Sequence, residues 1–177
     1  MSSFVKNIIR FALFILVQAY ILDKVPPLHQ FIKPYLYFLF ILWLPFNMPR
    51  FGLLLIAFIF GLTIDYFSGT PGLHAAPCVL IAYVRPFILN ILLPQEKTEF
   101  SYAEPSIKSL GLAPYSVYVL LLSFIHNALL VFIEWMQFGN FIFFIGKVAA
   151  TTGISVLLIF ITEMLFYRKA KFRTNAA

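Results

Sequence analysis

The sequence predicts an all-α polytopic membrane protein, a compact bundle of about six transmembrane helices forming one integral membrane domain over residues 1–177. Three observations carry that prediction. Hydrophobic residues make up 62% of the chain and charged residues 11%, against about 45–50% and about 25% in soluble domains, so too little polar surface exists to coat a globule in water. The apolar residues fall in runs close to the ~20 that a helix needs to cross a bilayer. The basic residues gather on one side of those runs, as the positive-inside rule requires.

The spans are read in order as about 6–22, 33–48, 50–66, 72–93, 114–134 and 141–167. In the first, Lys6 and Arg10 precede "FALFILVQAYIL", the pattern of a signal sequence. No small-x-small cleavage site follows, so the segment reads as a retained signal-anchor helix. The second and third spans are divided by Pro45 and Pro49, which break one helix and start the next. Six spans put both termini on one side. A cytoplasmic placement gathers Lys6, Arg10, Arg50, Lys97 and Lys108 there with the topology anchors Arg85, Arg168, Lys169, Lys171 and Arg173. Only Lys24 and Lys33 fall in outer loops. The long polar segment 94–113 then lies inside, either as a plain connector or carrying a short surface helix or partner contact.

Several function classes are excluded by composition. A nucleic-acid partner needs a basic, water-exposed face, which these apolar spans do not offer. The single cysteine, Cys78, allows neither an internal disulfide nor a multi-thiolate metal site. His29, His74 and His126 lie in separate segments without metal-ligand spacing, so no metal and no cofactor is predicted. No nucleophile elbow or phosphate-binding loop occurs, and the chain is expected not to be an enzyme.

The informative stretch is "FIFGLTIDYFSGTPGLHAAP", residues 58–77. A carboxylate at the centre of a membrane helix costs about 2.5–3.5 kcal/mol. Asp65 lies fifteen residues beyond Arg50, about 22 Å along a helix, which places it near the outer end of the third span. Gly61, one turn earlier, lets a neighbouring backbone approach. Gly69, Pro71 and Gly72 form a tight reversal, since glycine adopts left-handed torsions and proline fixes one turn angle. Asp65 can therefore accept hydrogen bonds from backbone N–H groups of the turn or of the next helix start. This hairpin, with His74, is the candidate structural, partner or ligand site.

Other polar residues have open readings. Lys147, near the start of the last span, either pairs with Glu134 or Asp65 or extends its amine to the headgroups. His126 and Asn127 near mid-span read as cross-helix hydrogen-bonding groups. Arg85, followed by Pro86, reads as marking the inner membrane boundary, with "FILNILLP" continuing as an amphipathic segment in the interface.

Gly61-x-x-x-Asp65, then Gly69, Pro71, Gly72, the small residues Ala75 and Ala76, and the aromatic Tyr83 resemble the corresponding hairpin of the bacterial rod shape-determining MreD family. The resemblance implies a non-enzymatic subunit of the cell-elongation (rod) complex in the plasma (inner) membrane. Such a subunit regulates cell shape by linking an MreC-like bitopic protein, actin-like filaments and the glycosyltransferase and transpeptidase of lateral peptidoglycan synthesis. It also implies a fold similar to the substrate-binding subunits of energy-coupling-factor transporters. That second likeness supplies the alternative function, a vitamin-type binding subunit with an outward pocket around Asp65, His74, Glu134 and Lys147. The spans show no clear stripe of small residues for a coupling partner, which favours the shape-protein reading.

Overall fold

The computed structural model describes residues 3–24, 33–93, 104–135 and 141–166. They are helical, without strands among the described residues. Helix α1 (Ser3–Leu16) continues through one π turn (Val17–Ile21) and a 3-10 turn (Leu22–Lys24). The remaining helices are α2 (Leu39–Leu42), α3 (Arg50–Ser68), α4 (Ala75–Leu92), α5 (Ile107–Leu110), α6 (Leu112–Trp135) and α7 (Phe141–Leu165). Five segments are long and apolar enough to cross a membrane: Val5–Lys24 and the helices α3, α4, α6 and α7. Their observed bounds lie close to those read from the sequence.

Side-chain pairs fix the helix directions. Phe11 packs on Phe60 and Tyr20 on Phe67, while Ser68 donates to Asp23 at 2.8 Å, so α1 and α3 run parallel. Helix α4 returns from the hairpin. Helix α6 runs back against it, with Tyr118 at Arg85. Helix α7 is antiparallel to α6, joined at Glu134–Lys147, Asn127–Thr152 and Tyr115–Glu163. The bundle thus has an Arg50 end, where α1 starts and α7 finishes, and an Asp65 end.

The second predicted span is not one continuous helix. Residues 33–36 have no regular secondary structure, 37–38 turn, and only Leu39–Leu42 form an α-helix, within a short run of local backbone bonds that reaches from Leu36 to Leu44 before Pro45. Because α1 and α3 are parallel, this segment must carry the chain back across the bundle, and it does so through the interior. Tyr37 to Leu44 are at most 4% exposed. Their side chains are buried on every side, so the segment lies within protein rather than against the outer surface. Phe40 packs on Phe11 and Phe60, and Phe14 on Trp43, filling the space between α1, α3 and α6.

Non-helical backbone at membrane depth is tolerated only when protein groups satisfy it. Buried side chains do so here from both ends. Gln18, in the π turn, accepts from Leu36 N–H at 3.1 Å and donates to Pro34 C=O at 3.4 Å. Ser155 on α7 accepts from Tyr35 N–H at 3.3 Å. At the last residue of α2 the Tyr118 hydroxyl donates to Leu42 C=O at 3.0 Å, and just past it Arg85 donates to Leu44 C=O.

Arg85 therefore corrects the sequence reading. It is 2% exposed and lies on the same face of α4 as Cys78, Ile81, Ala82, Ile88 and Leu89, all buried. Helical phase turns that face inward. A guanidinium near the carbonyl ends of α2 also meets the negative pole of that turn. Nor does a separate interfacial segment follow, since α4 continues through Pro86 to Leu92. Part of 94–113 is visible: Ser106 and Ser109 form a capping box at the start of α5, and 94–103 lie outside the described residues, as do Arg168, Lys169, Lys171 and Arg173.

Removing a donor or acceptor that serves buried backbone costs about 1–3 kcal/mol. Gln18→Leu and Arg85→Met are each expected to lower the thermal unfolding midpoint in detergent by that equivalent. Leu16→Ala, at an exposed position of the same α1, should leave it nearly unchanged. An unaltered midpoint in the Gln18 and Arg85 variants would show that the crossing segment does not need these bonds.

Candidate functional site

The hairpin joining α3 to α4 holds the predicted residues together. Helix α3 ends at Gly69, whose φ of 67° is left-handed, and Gly72 has φ 84°. These two torsions let the chain reverse within residues 69–74, and Pro71 sits exposed in the turn. The reversal brings the start of α4 over the last turns of α3.

Asp65, 2% exposed, then receives a ring of donors. Its Oδ1 accepts from His74 N–H at 2.8 Å and from the Thr70 hydroxyl at 3.3 Å. Its Oδ2 accepts from Gly72 N–H at 3.1 Å and Ala75 N–H at 3.0 Å. The His74 ring nitrogen Nδ1 stands 2.8 Å from Oδ1. A carboxylate only accepts, so Nδ1 carries the proton of that bond. Asp65 thereby caps the first turn of α4 from the preceding helix, where a negative charge meets the positive pole of the helix.

Gly61 makes the approach possible. A Cβ there would lie 2.5 Å from Ala75 Cα and 3.0 Å from both Ala75 N and His74 O. On the outer side of the same pair, an apolar groove of about 630 Å³ runs between α3 and α4. Gly72, Ala75 and Ala76 floor it, flanked by Leu54, Phe58, Val79, Leu80 and Tyr83. The small residues and the aromatic singled out in the sequence thus line one surface.

The other polar residues settle into separate contacts. Lys147 meets Glu134 at 2.7 Å, joining α6 to α7 at the Asp65 end beside the stacked rings of Trp135 and Phe143. Asp65 is engaged by His74 instead, so the four residues of the alternative pocket form two pairs. His126 bonds the Tyr37 hydroxyl at 2.8 Å and Asn127 Oδ1 at 3.1 Å, and stacks on Phe38. Asn127 donates to Thr152 at 3.3 Å. At the Arg50 end, Trp43 donates to Tyr115 and Tyr115 donates to Glu163. Among the described residues, no group of three or more metal-ligating side chains converges.

Sequence reasoning missed Gln18, Tyr37 and Tyr118. Gln18 carried a usable signal, a lone amide in the apolar run "LVQAYI". A tyrosine in an aromatic-rich span carries none, because interfacial anchoring and buried bonding need the same ring.

Glu104 adds a tie at the Arg50 end, 2.9 Å from Arg10 and 3.1 Å from Lys6. Burial acts to raise its carboxyl, but the Arg10 guanidinium and Lys6 ammonium outweigh that and hold it below the ordinary carboxylate range.

No family model, curated protein or solved structure matches this chain.

Gly61→Ala is expected to push α4 from α3, an overpacking cost of about 1–3 kcal/mol, seen as a lower unfolding midpoint. Asp65→Asn loses an acceptor and turns an amide toward backbone donors. It should unfold at lower temperature than the wild type while inserting into membranes equally well. For Glu104 the folded pKa lies below the unfolded one, so its stabilisation is present above the unfolded value and disappears as pH falls through the folded value. The midpoint gap between wild type and Glu104→Gln should accordingly be open at neutral pH and closed in acid. A gap independent of pH would refute the tie.

Proposed function

We propose that this chain is a non-enzymatic membrane subunit that acts by presenting helix faces to other membrane proteins, as an MreD-type component of the bacterial cell-elongation complex. The observation that carries this reading is the Asp65 hairpin with the apolar groove beside it. The residues that resemble the MreD hairpin either build the close α3–α4 approach or line that groove. The inward use of polar groups supports it too. Asp65, Arg85, Gln18, His126 and Glu163 face the protein interior and bond its own backbone or side chains. The outer surface is left apolar, with Phe51, Tyr66, Ile91, Ile142 and Met164 each at least 78% exposed.

In this reading the α3–α4 face receives the single transmembrane helix of an MreC-like protein. Both termini are cytoplasmic in the inner membrane, near the filaments and wall synthases that the complex connects. The alternative, a substrate-binding subunit of a vitamin-type transporter, draws on one observation: the crossing segment 33–48 is discontinuous, and broken spans line binding sites in many transporters.

Co-purification in mild detergent from native membranes, with mass spectrometry of the captured proteins, separates the two. Capture of MreC-like and wall-synthase subunits is expected. Ala76→Phe, which fills the groove, should reduce that capture at least several-fold at an unchanged unfolding midpoint. Ala149→Phe on the exposed side of α7 should not. Capture of an ATPase module with a coupling membrane subunit would move the chain to the transporter class.

A further inference from the structure

The interface between α6 and α7 carries a run of buried polar side chains, the kind that bond between membrane helices. Helix α7 buries Val148, Thr151, Thr152, Ser155, Ile159 and Glu163, so most of its inward face is hydroxyl or carboxyl. Helix α6 answers with Ser123, His126 and Asn127, all 0% exposed. Asn127 bonds Thr152, Ser155 bonds the backbone of Tyr35, and both ring nitrogens of His126 are engaged.

Two members of the seam stand apart. Ser123 Oγ and Thr151 Oγ1 are buried without a hydrogen-bond partner, and among the described residues they are the buried side-chain polar atoms in that condition. Other hydroxyls of the same chain bond the carbonyl one turn back, as Thr63, Ser116 and Thr162 do at 2.7–2.8 Å. Ser123 and Thr151 do not take that option. They sit on facing helices, Ser123 one turn from Asn127 and Thr151 beside Thr152, on either side of the Asn127–Thr152 contact.

The geometry points to internal hydration of this seam, with ordered water bonded at the Ser123 hydroxyl and at the Thr151 hydroxyl inside the helical bundle. A hydroxyl both donates and accepts, and a buried polar group without a protein partner is characteristically matched by ordered water making two to four bonds. The neighbouring amide and hydroxyl groups supply further bonds for such water. A metal cation suits the seam less well, because the carboxylates nearest it, Glu134 and Glu163, lie at its two ends and are bonded to Lys147 and Tyr115. The site is independent of the hairpin and of the partner reading above.

Water-edited solid-state NMR of the whole protein in phosphatidylcholine–phosphatidylglycerol vesicles with deuterated chains tests this directly. Magnetisation from water should reach the Cβ signals of Ser123 and Thr151 early, and reach the buried apolar residues Phe60 and Ile64 only late. Thr151→Val keeps the shape and removes the hydroxyl. It should lower the unfolding midpoint by about 2–4 °C, since water bonded there loses a partner. Build-up at Ser123 and Thr151 as slow as at Phe60 overturns the proposal. So does a Thr151→Val midpoint that is unchanged or raised, the result expected for a hydroxyl that bonds nothing.

Discussion

A backbone that crosses a bilayer without forming a helix must have its amides and carbonyls met by other parts of the protein, because hydrocarbon offers no substitute. Within residues 33–48 the amides from Leu39 to Leu44 bond carbonyls one turn back in the same segment, and its two ends impose that requirement on the rest of the fold. Gln18 from the π turn that continues α1 and Ser155 from α7 meet the entry, while Tyr118 from α6 and Arg85 from α4 meet carbonyls at and just after the end of α2. Four helices are thereby tied to one strip of chain. The bundle surrounds that strip as a globular protein surrounds its core, and the aromatic side chains from Tyr35 to Trp43 fill the centre.

The same principle governs the charges. Asp65 answers the free N–H groups at the start of α4, and Arg85 answers carbonyls at the end of α2. In each case an ionised side chain offsets its desolvation by capping a helix end with the matching pole. Lys147 and Glu134 instead neutralise each other at a less buried position. Because these groups are turned inward, the outer surface presents mostly hydrocarbon. Interactions with other proteins at that depth must rely on shape, and small residues are what give a helix pair a concave shape. Gly72, Ala75 and Ala76 do so beside the hairpin.

Helix α7 is held differently. Its seam with α6 combines hydroxyls, an amide and a carboxylate with ring contacts of Trp135 on Phe143 and Tyr115 on Phe160. Hydrogen bonds between transmembrane helices contribute modestly, about 0.6 kcal/mol on average in measured cycles. A polar seam of this kind sets the register of α7 at the Asn127–Thr152 and Tyr115–Glu163 contacts. The α3–α4 pair is the opposite case, locked by a glycine whose Cα lies against the opposing backbone.

Composition and run length by themselves determined that this chain builds apolar helices of membrane-crossing length, and the positions of Gly, Pro and Asp determined the α3–α4 hairpin. Those signals are local: a left-handed torsion needs Gly69 or Gly72 wherever the helices go, and Asp65 lies within ten residues of every donor it meets. Only the tertiary structure decided that 33–48 runs back through the bundle with one short helix rather than as a full span, since an apolar run enclosed on all sides carries no periodicity to distinguish the two forms. It also decided that Arg85 points inward and that Lys147 pairs with Glu134. Both depend on which helix stands opposite, and Leu44 and Tyr118 are far from Arg85 in the chain. Long-range geometry of that kind leaves no mark on the residues that will eventually meet.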